Sequence, residues 1–329
     1  MNITISPFEP TDSAYESLAA IRNACYPDYP VTAAECRRWD EKREARLTFG
    51  RLVAEADGQP IGGATYEHVS WMYHPQKFFV GLYVHPEYQR NGVGARLYER
   101  ILADLAPHQP LALRHEVRQD FSAGLRFAQQ RGFIEEMRTW ESRLDVASFD
   151  AAPFADAEQH VRAQGITIAT VAEQRERDPE LWPRLYELDI LATHDVPMPE
   201  PFTPPPFEAW LKSFQDNPSM LPDAFFLALD GERYIGLTSL WRRESSPDLA
   251  TGFTATDPEY RRRGIALALK LRAIAYAQRV GAPCIRTDNA STNRPMLSIN
   301  EALGFLKQPA WLTMVKHPSG RPSWAPSPS

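Results

Sequence analysis

Cysteine is scarce in this sequence, and the few cysteines form no binding pattern. Cys25, Cys36 and Cys284 are widely spaced and odd in number, whereas zinc sites and disulfide frameworks depend on cysteines at short or regular spacings. We therefore expect no metal site and no disulfide framework, and the thiols should be buried or free in a reducing compartment.

Long apolar segments are missing as well. No uninterrupted apolar run approaches the ~18 residues of a membrane-spanning helix. The first ten residues, MNITISPFEP, contain neither the basic nor the apolar region of a signal peptide. With 43% hydrophobic and 24% charged residues, the composition is that of an ordinary globular protein. We expect a cytoplasmic protein that does not bind membranes.

A surplus of basic residues is also absent, because 42 aspartates and glutamates outnumber 36 lysines and arginines. A nucleic-acid-binding domain would carry such a surplus along one face or helix. The run of arginines at 261–263 is therefore a local feature of an acidic chain, and we expect no nucleic-acid partner. A module that binds duplex phosphates through these arginines is an alternative, and salt-dependent binding would be its sign.

The sequence does contain an internal repeat. Segments of the first copy recur 172 to 174 positions later in the chain. The matching pairs are Asp57-Gly58 with Asp230-Gly231, Ile61-Gly62 with Ile235-Gly236, Pro86-Glu87-Tyr88 with Pro258-Glu259-Tyr260, Gly92 with Gly264, and Gly132-Phe133 with Gly304-Phe305. We predict a tandem duplication with domains at 1–150 and 160–318, followed by a disordered proline- and serine-rich tail at 319–329.

Each copy follows the same order of elements. A strand and a helical segment lead to a hairpin, in which two apolar runs flank Asp-Gly. A further strand, a helix that begins at the glycine, a fifth strand and a helix that ends at Gly-Phe come next. Last strands are predicted at 138–144 and 310–315, each closing its own copy. The fold class is α+β, with two tandem domains that each form a mixed, mostly antiparallel sheet flanked by helices.

A proline-rich segment, VPMPEPFTPPPF at 196–207, lies inside the second copy. Prolines at this density exclude a regular helix or a central strand. We expect a semi-rigid loop that covers one side of the second copy's pocket.

The three arginines stand directly before Gly264 and an apolar helix. A helix N-terminus presents unpaired N–H groups and a partial positive charge, and a glycine lets a ligand approach the backbone closely. Together with the arginine side chains, these features indicate a phosphate site. No P-loop string occurs, and Gly92-Val93-Gly94 fails the dinucleotide fingerprint because Leu97 replaces its third glycine.

Both copies fit the pattern Arg/Gln-x-x-Gly-x-Gly/Ala at this helix start, beginning at Gln89 and at Arg261. The pattern follows a strand and Pro-Glu-Tyr, and Gly-Phe comes 40 residues after its first glycine. It resembles motif A of the GNAT N-acetyltransferase superfamily. The segment 286–305 resembles the following strand and helix of that family. The whole chain is thus similar to tandem GNAT proteins, in a mycothiol-synthase-like two-domain arrangement.

The resemblance implies acetyl-CoA, or another short acyl-CoA, as cosubstrate and a small-molecule primary amine as acceptor, and it leaves monomer and dimer open. The acetyl group would pass directly to the amine. Loop amides would hold the pyrophosphate, and the preceding strand would pair with the pantetheine arm. The implied cofactor-binding residues are Leu82, Tyr83, Val84, Gln89, Arg90, Asn91, Gly92, Val93 and Gly94 in the first copy, and Thr254, Ala255, Thr256, Arg261, Arg262, Arg263, Gly264, Ile265, Ala266 and Asn293 in the second.

The second copy is predicted to be the active one. Asn289, Asn293 and Asn300 surround its last helix, where the first copy has apolar residues. A buried polar cluster costs stability unless its groups are paired, so it indicates a site rather than packing. Asn289 and Asn300 are therefore candidate catalytic residues. For Asn293 the alternative is a helix cap.

The general base and acid are indicated only by position. His194 and Asp195 are candidate catalytic residues that precede the proline-rich segment, and histidine titrates near neutral pH. The alternative for this pair is an exposed polar loop. Asp248, and in the first copy His115 and Glu116, are further candidates. Many family members carry a tyrosine acid four residues before the Gly-Phe glycine, where this chain has asparagine and alanine. A non-catalytic acyl-CoA binding or sensing protein is therefore the alternative function.

Overall fold

The computed structural model describes residues 2–318. The strands of the first copy are β1 (Ile3–Pro7), β2 (Phe49–Ala56), β3 (Gln59–Glu67), β4 (Lys77–Val84), β5 (Ala112–Arg118) and β6 (Ile134–Asp145). Its helices are α1 (Asp12–Cys25), α2 (Ala33–Glu41), α3 (Val93–Leu105) and α4 (Ser122–Gln129). The predicted tail at 319–329 lies outside the described residues.

The second copy repeats this order with two additional short helices. Its helices are α5 (Ala157–Arg162), α6 (Val171–Arg177), α7 (Leu181–Thr193), α8 (Phe207–Gln215), α9 (Ile265–Arg279) and α10 (Arg294–Ala302). Its strands are β7 (Ile166–Thr170), β8 (Met220–Asp230), β9 (Arg233–Arg243), β10 (Ser246–Thr256), β11 (Cys284–Ala290), β12 (Leu306–Lys307) and β13 (Trp311–Lys316). The predicted α+β class is confirmed. Within residues 2–318, no helix has the length and apolarity required to cross a membrane.

Two compact units make up the described chain, and neither is continuous in sequence. The first unit comprises residues 2–137, 199–203 and 311–318, and the second comprises residues 138–198 and 204–310. The bounds of these compact units differ from the bounds of the sequence repeat. The predicted domain ranges 1–150 and 160–318 therefore stay a prediction.

In the first unit, β1 to β4 form an antiparallel sheet and β5 lies parallel to β4. The β2–β3 hairpin turns at Asp57 and Gly58, whose φ angles of 49° and 81° are both left-handed. This conformation is the one that Asp-Gly favours in two-residue hairpins, because it matches the twist of the strands. The sheet is completed by β13, which pairs antiparallel with β5 and sets Thr313 opposite Glu116.

The second unit has the same strand order, from β7 through β10 to a parallel β11. Its sheet is completed by β6, which pairs antiparallel with β11 and sets Glu141 opposite Asp288. The prediction that each last strand closes its own copy is therefore wrong. Alternating apolar residues predict that a strand forms, but they do not select between two equivalent sheet edges.

The proline-rich segment also differs from its prediction. Residues 196–206 contain no helix or strand, as expected, but Pro199–Thr203 belongs to the first unit. There Glu200 forms ion pairs of 2.7 Å with Lys77 and with Arg114. Pro199–Thr203, called the proline strap below, therefore lies on the first unit, where Pro199 lines a pocket, whereas the prediction placed the segment over the second copy's pocket. The buried Arg114 explains this placement, since a buried cation requires paired carboxylates.

Candidate functional site

A split between two parallel strands opens the sheet of the first unit. β4 and β5 pair only from Lys77 to Phe79, opposite 112–114, and diverge beyond that point. Past the split, no strand of residues 2–318 pairs with β4 on that side, although the Val84 carbonyl oxygen accepts from Gln89 Nε2 at 3.0 Å and from Cys25 Sγ at 3.3 Å. His115 lies at the start of the split, where its Nδ1 donates to the Val80 carbonyl oxygen at 2.9 Å. Burial lowers the pKa of His115, so the ring bridges the two strands in its neutral form.

The loop before α3 has an unusual backbone that recurs before α9. Arg90 and Gly92 have φ angles of 66° and 80°, and Arg262 and Gly264 have 62° and 81°. Each glycine caps the following helix, whose first N–H groups have no partner within the helix. Both loops therefore share the left-handed backbone and the glycine-capped helix entrance on which the predicted anion site depends, and the site itself stays a prediction. At Gly92 no atom lies within 4 Å of the position that a Cβ would occupy, so this loop is open.

A cleft of about 390 Å³ runs from this loop along β4, α3 and α4 in the first unit. We call it the entrance cleft. Seven residues predicted from the sequence line it, namely Leu82, Tyr83, Val84, Gln89, Arg90, Gly92 and Gly94. Two others have structural roles. The Asn91 amide donates to the carbonyl oxygens of Tyr88 and Gln89 within the loop, and Val93 is buried in the core.

The corresponding loop of the second unit contacts protein groups. Arg261 forms an ion pair with Asp195, and both side chains are about half exposed. Gln164 donates through its Nε2 to the Arg263 carbonyl oxygen at 3.1 Å. The remaining predicted cofactor residues lie on β10 or at the start of α9, namely Thr254, Ala255, Thr256, Ile265 and Ala266. The Thr256 hydroxyl is buried without a hydrogen-bond partner in the described chain.

The predicted asparagine cluster forms in part. Asn300 is 1% exposed and donates through its Nδ2 to Asn289 Oδ1 at 2.7 Å, while its own Oδ1 is buried without a partner among residues 2–318. Asn293 caps α10 by accepting from the Met296 amide, which was its alternative role. Lys270 is buried in α9 with its Nζ 5.2 Å from the centre of the Phe305 ring, and burial lowers its pKa to about 8.

The candidate bases of the second copy lie in different surroundings. His194 caps the C-terminus of α7 and Asp195 follows it, where Arg261 engages the Asp195 carboxylate. The Asp248 carboxylate is likewise held by Arg286 at 2.6 Å. Both carboxylates are therefore engaged by an arginine.

A second cavity of the first unit, of about 490 Å³, was not predicted from the sequence. We call it the aromatic pocket, because Trp39, Phe49, Trp71 and Phe79 line it together with Glu116. These residues come from α2, β2, the segment before β4, β4 itself and β5. The only sequence signal was the presence of tryptophans in polar surroundings, as in the segment around Trp39.

The two cavities of the first unit lie on opposite faces of the sheet at the split. Phe79 and Glu116 line the aromatic pocket, whereas their neighbours Val80 and His115 line the entrance cleft. Successive side chains of a strand point to opposite faces, so the two cavities flank the start of the gap between β4 and β5, where His115 bonds to the Val80 carbonyl oxygen.

Comparison with known proteins identifies the family. The model of the acetyltransferase (GNAT) family matches residues 12–133 and 182–305. The chain belongs to the GNAT acetyltransferase family. It is a tandem GNAT protein, and this membership supports an N-acetyltransferase that uses an acyl-CoA. A search of curated proteins finds no significant match.

Solved structures share the fold of this tandem GNAT protein along its full length. A tandem GNAT protein from the clavulanic acid biosynthesis pathway has a TM-score of 0.76 at 18% identity, covering 98% of this chain and 100% of that one. A GCN5-related N-acetyltransferase from Sphaerobacter thermophilus has a TM-score of 0.69 at 19% identity, covering 96% of this chain and 95% of that one. At these identities the likeness shows the fold alone.

Glu116 and His68 both line the aromatic pocket of this GNAT protein, but they differ as proton acceptors. Glu116 is open to the cavity, while the surrounding protein raises its pKa by desolvation. The Nδ1 of His68 accepts from the Thr48 amide, so its Nε2 carries the proton and donates to the Pro75 carbonyl oxygen. Burial lowers the pKa of His68. The His68 ring is thus held in its neutral form with both ring nitrogens hydrogen-bonded, whereas no cationic side chain of the described residues contributes to the raised pKa of Glu116.

A buried phenol supplies the opposite property in the entrance cleft. Tyr26 follows α1 and lines the cleft together with Tyr83. Burial raises the pKa of Tyr26, and neighbouring Tyr83 and Cys25 raise it further. The phenol therefore keeps its proton across the physiological pH range. Tyr26 was not predicted from the sequence, because the tyrosine of many family members is expected at position 128, on α4.

Proposed function

We propose that this protein transfers an acetyl group from acetyl-CoA, or from another short acyl-CoA, to the primary amine of a small molecule, and that the first unit performs the transfer. The observation that supports this proposal is that neighbouring residues of β4 and β5 line the entrance cleft on one face of the sheet and the aromatic pocket on the other, beside the gap between these strands. One cavity begins at an anion-binding loop, and the other ends at a carboxylate with a raised pKa.

The entrance cleft offers the groups that a CoA thioester requires. The free N–H groups at the start of α3 and the guanidinium of Arg90 would hold the pyrophosphate. The edge of β4 from Leu82 to Val84, which no strand covers in the described structure, would hydrogen-bond to the pantetheine amides as a neighbouring strand does, apart from the Val84 carbonyl oxygen, which Gln89 and Cys25 already engage. Bound acetyl-CoA supplies the thioester at the gap, where a backbone N–H of β4 polarises its carbonyl group.

Glu116 would act as the general base. An amine enters the pocket as an ammonium and must lose a proton before its nitrogen can attack the thioester carbonyl. A carboxylate with a raised pKa accepts that proton more readily at neutral pH than an ordinary glutamate. The transfer takes place directly within one unit, since Glu116 and the β4 edge lie on the two strands that form the gap.

Tyr26 would stabilise the departing thiolate by donating a hydrogen bond to its sulfur. Many family members have a tyrosine four residues before the glycine of Gly-Phe. In the first copy of this chain that position is Ala128, which has no hydroxyl group. Tyr26 lines the same cleft from α1 and remains protonated because burial raises its pKa. Loss of this phenol would slow the release of CoA and leave the anion-binding loop before α3 intact.

The second unit is a candidate for acyl-CoA binding without transfer. Its glycine loop repeats the left-handed geometry of the first, and Thr256 and Asn300 hold buried oxygens that lack partners in the described structure. A ligand amide would satisfy such groups. The expectation from the sequence that this copy is the active one stays a prediction.

The test is a titration and an amine screen with the purified full chain. Calorimetry with acetyl-CoA gives the number of sites, and release of the CoA thiol reports transfer to each amine. We expect transfer in the wild type and a loss of about 10²- to 10⁴-fold in Glu116→Gln, with acetyl-CoA binding retained. Transfer at the wild-type rate in Glu116→Gln would exclude the first unit's carboxylate as the base.

A further inference from the structure

The aromatic pocket has the size of a small-molecule site and largely aromatic walls. Its volume of about 490 Å³ lies in the range of cavities that enclose small ligands. Trp39 and Trp71 leave 41% and 47% of their surface uncovered, although indole rings bury a large apolar area when they have a partner. Exposed aromatic rings gathered around one cavity mark a binding surface.

Most charges at the pocket are already neutralised by neighbouring side chains. Arg43 forms an ion pair with Glu67, and Glu44 forms one of 2.7 Å with Arg46. Glu116 is the lining carboxylate for which the described chain provides no cation, since burial alone shifts its pKa. The pocket therefore matches one ammonium group, at Glu116, and leaves no carboxylate for a second.

The proline strap adds an apolar and well-anchored wall. Pro199 lines the pocket, and the next residue, Glu200, forms ion pairs with Lys77 and Arg114. The amide of Thr203 donates to the Trp71 carbonyl oxygen at 2.8 Å, so the strap is tied to the segment that carries an indole of the pocket. Proline has little side-chain freedom to lose, and an anchored proline wall favours a rigid, flat ligand.

We propose that the acceptor is a monoamine carried on a flat apolar ring, an arylalkylamine in chemical class, with its ring against Trp39 and Trp71 and its amine at Glu116. This inference rests on the proposed function, because it assigns the acceptor of the same site. A polyamine or an aminoglycoside would bring further ammonium groups close to Lys42 and Arg43, which also line the pocket. Such groups would lose water against aromatic walls without gaining a carboxylate.

The test compares 2-phenylethylamine with spermidine, an aminoglycoside and ethanolamine, each with acetyl-CoA. We expect kcat/KM to be at least about ten-fold higher for 2-phenylethylamine than for the other amines. Trp39→Ala and Trp71→Ala should each reduce kcat/KM for 2-phenylethylamine by about 10- to 100-fold, mainly through KM. The same variants should lower kcat/KM for ethanolamine, which has no ring, by a smaller factor. Leu306→Ala is the matched control, because Leu306 is 71% exposed and lies outside the pocket.

The outcomes separate this inference from the proposed function. Preference for spermidine or the aminoglycoside would overturn the inference and leave acetyl transfer intact. If no amine is acetylated, calorimetry with 2-phenylethylamine tests whether the pocket binds the proposed class of ligand. Binding that weakens in Trp71→Ala but not in Leu306→Ala would uphold the ligand class and refute transfer. No binding of 2-phenylethylamine to the wild type would refute the inference itself.

Discussion

Two variants, each with a glutamate in place of one helix-capping glycine, would show which glycine loop is required for catalysis. Gly92 and Gly264 have the same left-handed φ, 80° and 81°, and each is the N-cap of the following helix. Gly92→Glu and Gly264→Glu therefore impose the same backbone strain, of about 1–2 kcal/mol. The surroundings differ, since an added Cβ at Gly264 would lie 3.4 Å from His160 Cδ2 whereas nothing lies within 4 Å at Gly92, so a larger loss in Gly92→Glu than in Gly264→Glu reports on the ligand site and not on packing.

The expected loss of binding affinity follows from Coulomb's law at the glycine loop. A carboxylate about 4 Å from a phosphate oxygen repels it by ~1 kcal/mol in water and by ~4 kcal/mol at the effective dielectric constant of a protein surface. Binding to the loop should thus weaken by about 10- to 1,000-fold. Gly92→Ala controls for strain, since no atom lies within 4 Å of the added Cβ and no charge is introduced.

The assay measures acetyl-CoA binding by calorimetry and CoA release with an amine acceptor. We expect Gly92→Glu to lose one binding site and nearly all turnover, and Gly264→Glu to keep turnover. Gly92→Ala should keep most of its activity if the protein remains folded by circular dichroism. The opposite pattern, with turnover lost in Gly264→Glu and kept in Gly92→Glu, would refute our reasoning and assign catalysis to the second copy.

Three further predictions concern titratable groups. The wild-type rate should fall as the pH decreases through the raised pKa of Glu116, because a base must be ionised, and a pH–rate profile measures this; a profile flat down to the ordinary pKa of glutamate would contradict it. Lys270→Met should raise the free energy of unfolding by about 3 kcal/mol at pH 7, since burial lowers the pKa of Lys270 from 10.5 to about 8. This gain in stability is full below about pH 8 and shrinks toward pH 10.5, where the unfolded state also loses the proton. Urea titrations at pH 7 and pH 10 measure the gain, and a gain that is the same at both pH values would contradict the prediction. Glu200→Gln should lower stability by up to about 3 kcal/mol, because Arg114 keeps only Glu136 as a partner; unchanged urea unfolding would show that the strap is not anchored by this pair.

The sequence by itself determined the local structure. Asp57-Gly58 predicts a hairpin turn because these residues tolerate a left-handed backbone, and both adopt it. Gly92 and Gly264 predict an open helix entrance for the same reason, and the two loops have matching angles. These features depend on a few consecutive residues, so the residue types alone specify them. The repeat then extended each inference from one copy to the other.

Tertiary structure decided what depends on residues far apart in the chain. The exchange of β6 and β13 between two equivalent sheet edges follows from register and length, which an alternating pattern does not specify. The aromatic pocket brings Trp39 near the side chain of Glu116, and only this enclosure raises the pKa of the carboxylate. Charge neutralisation is equally non-local, since the Asp195 carboxylate is engaged by Arg261 while that of Glu116 remains unpaired among the described residues. Sequence patterns predict elements and turns, whereas desolvation and pairing depend on which surfaces meet.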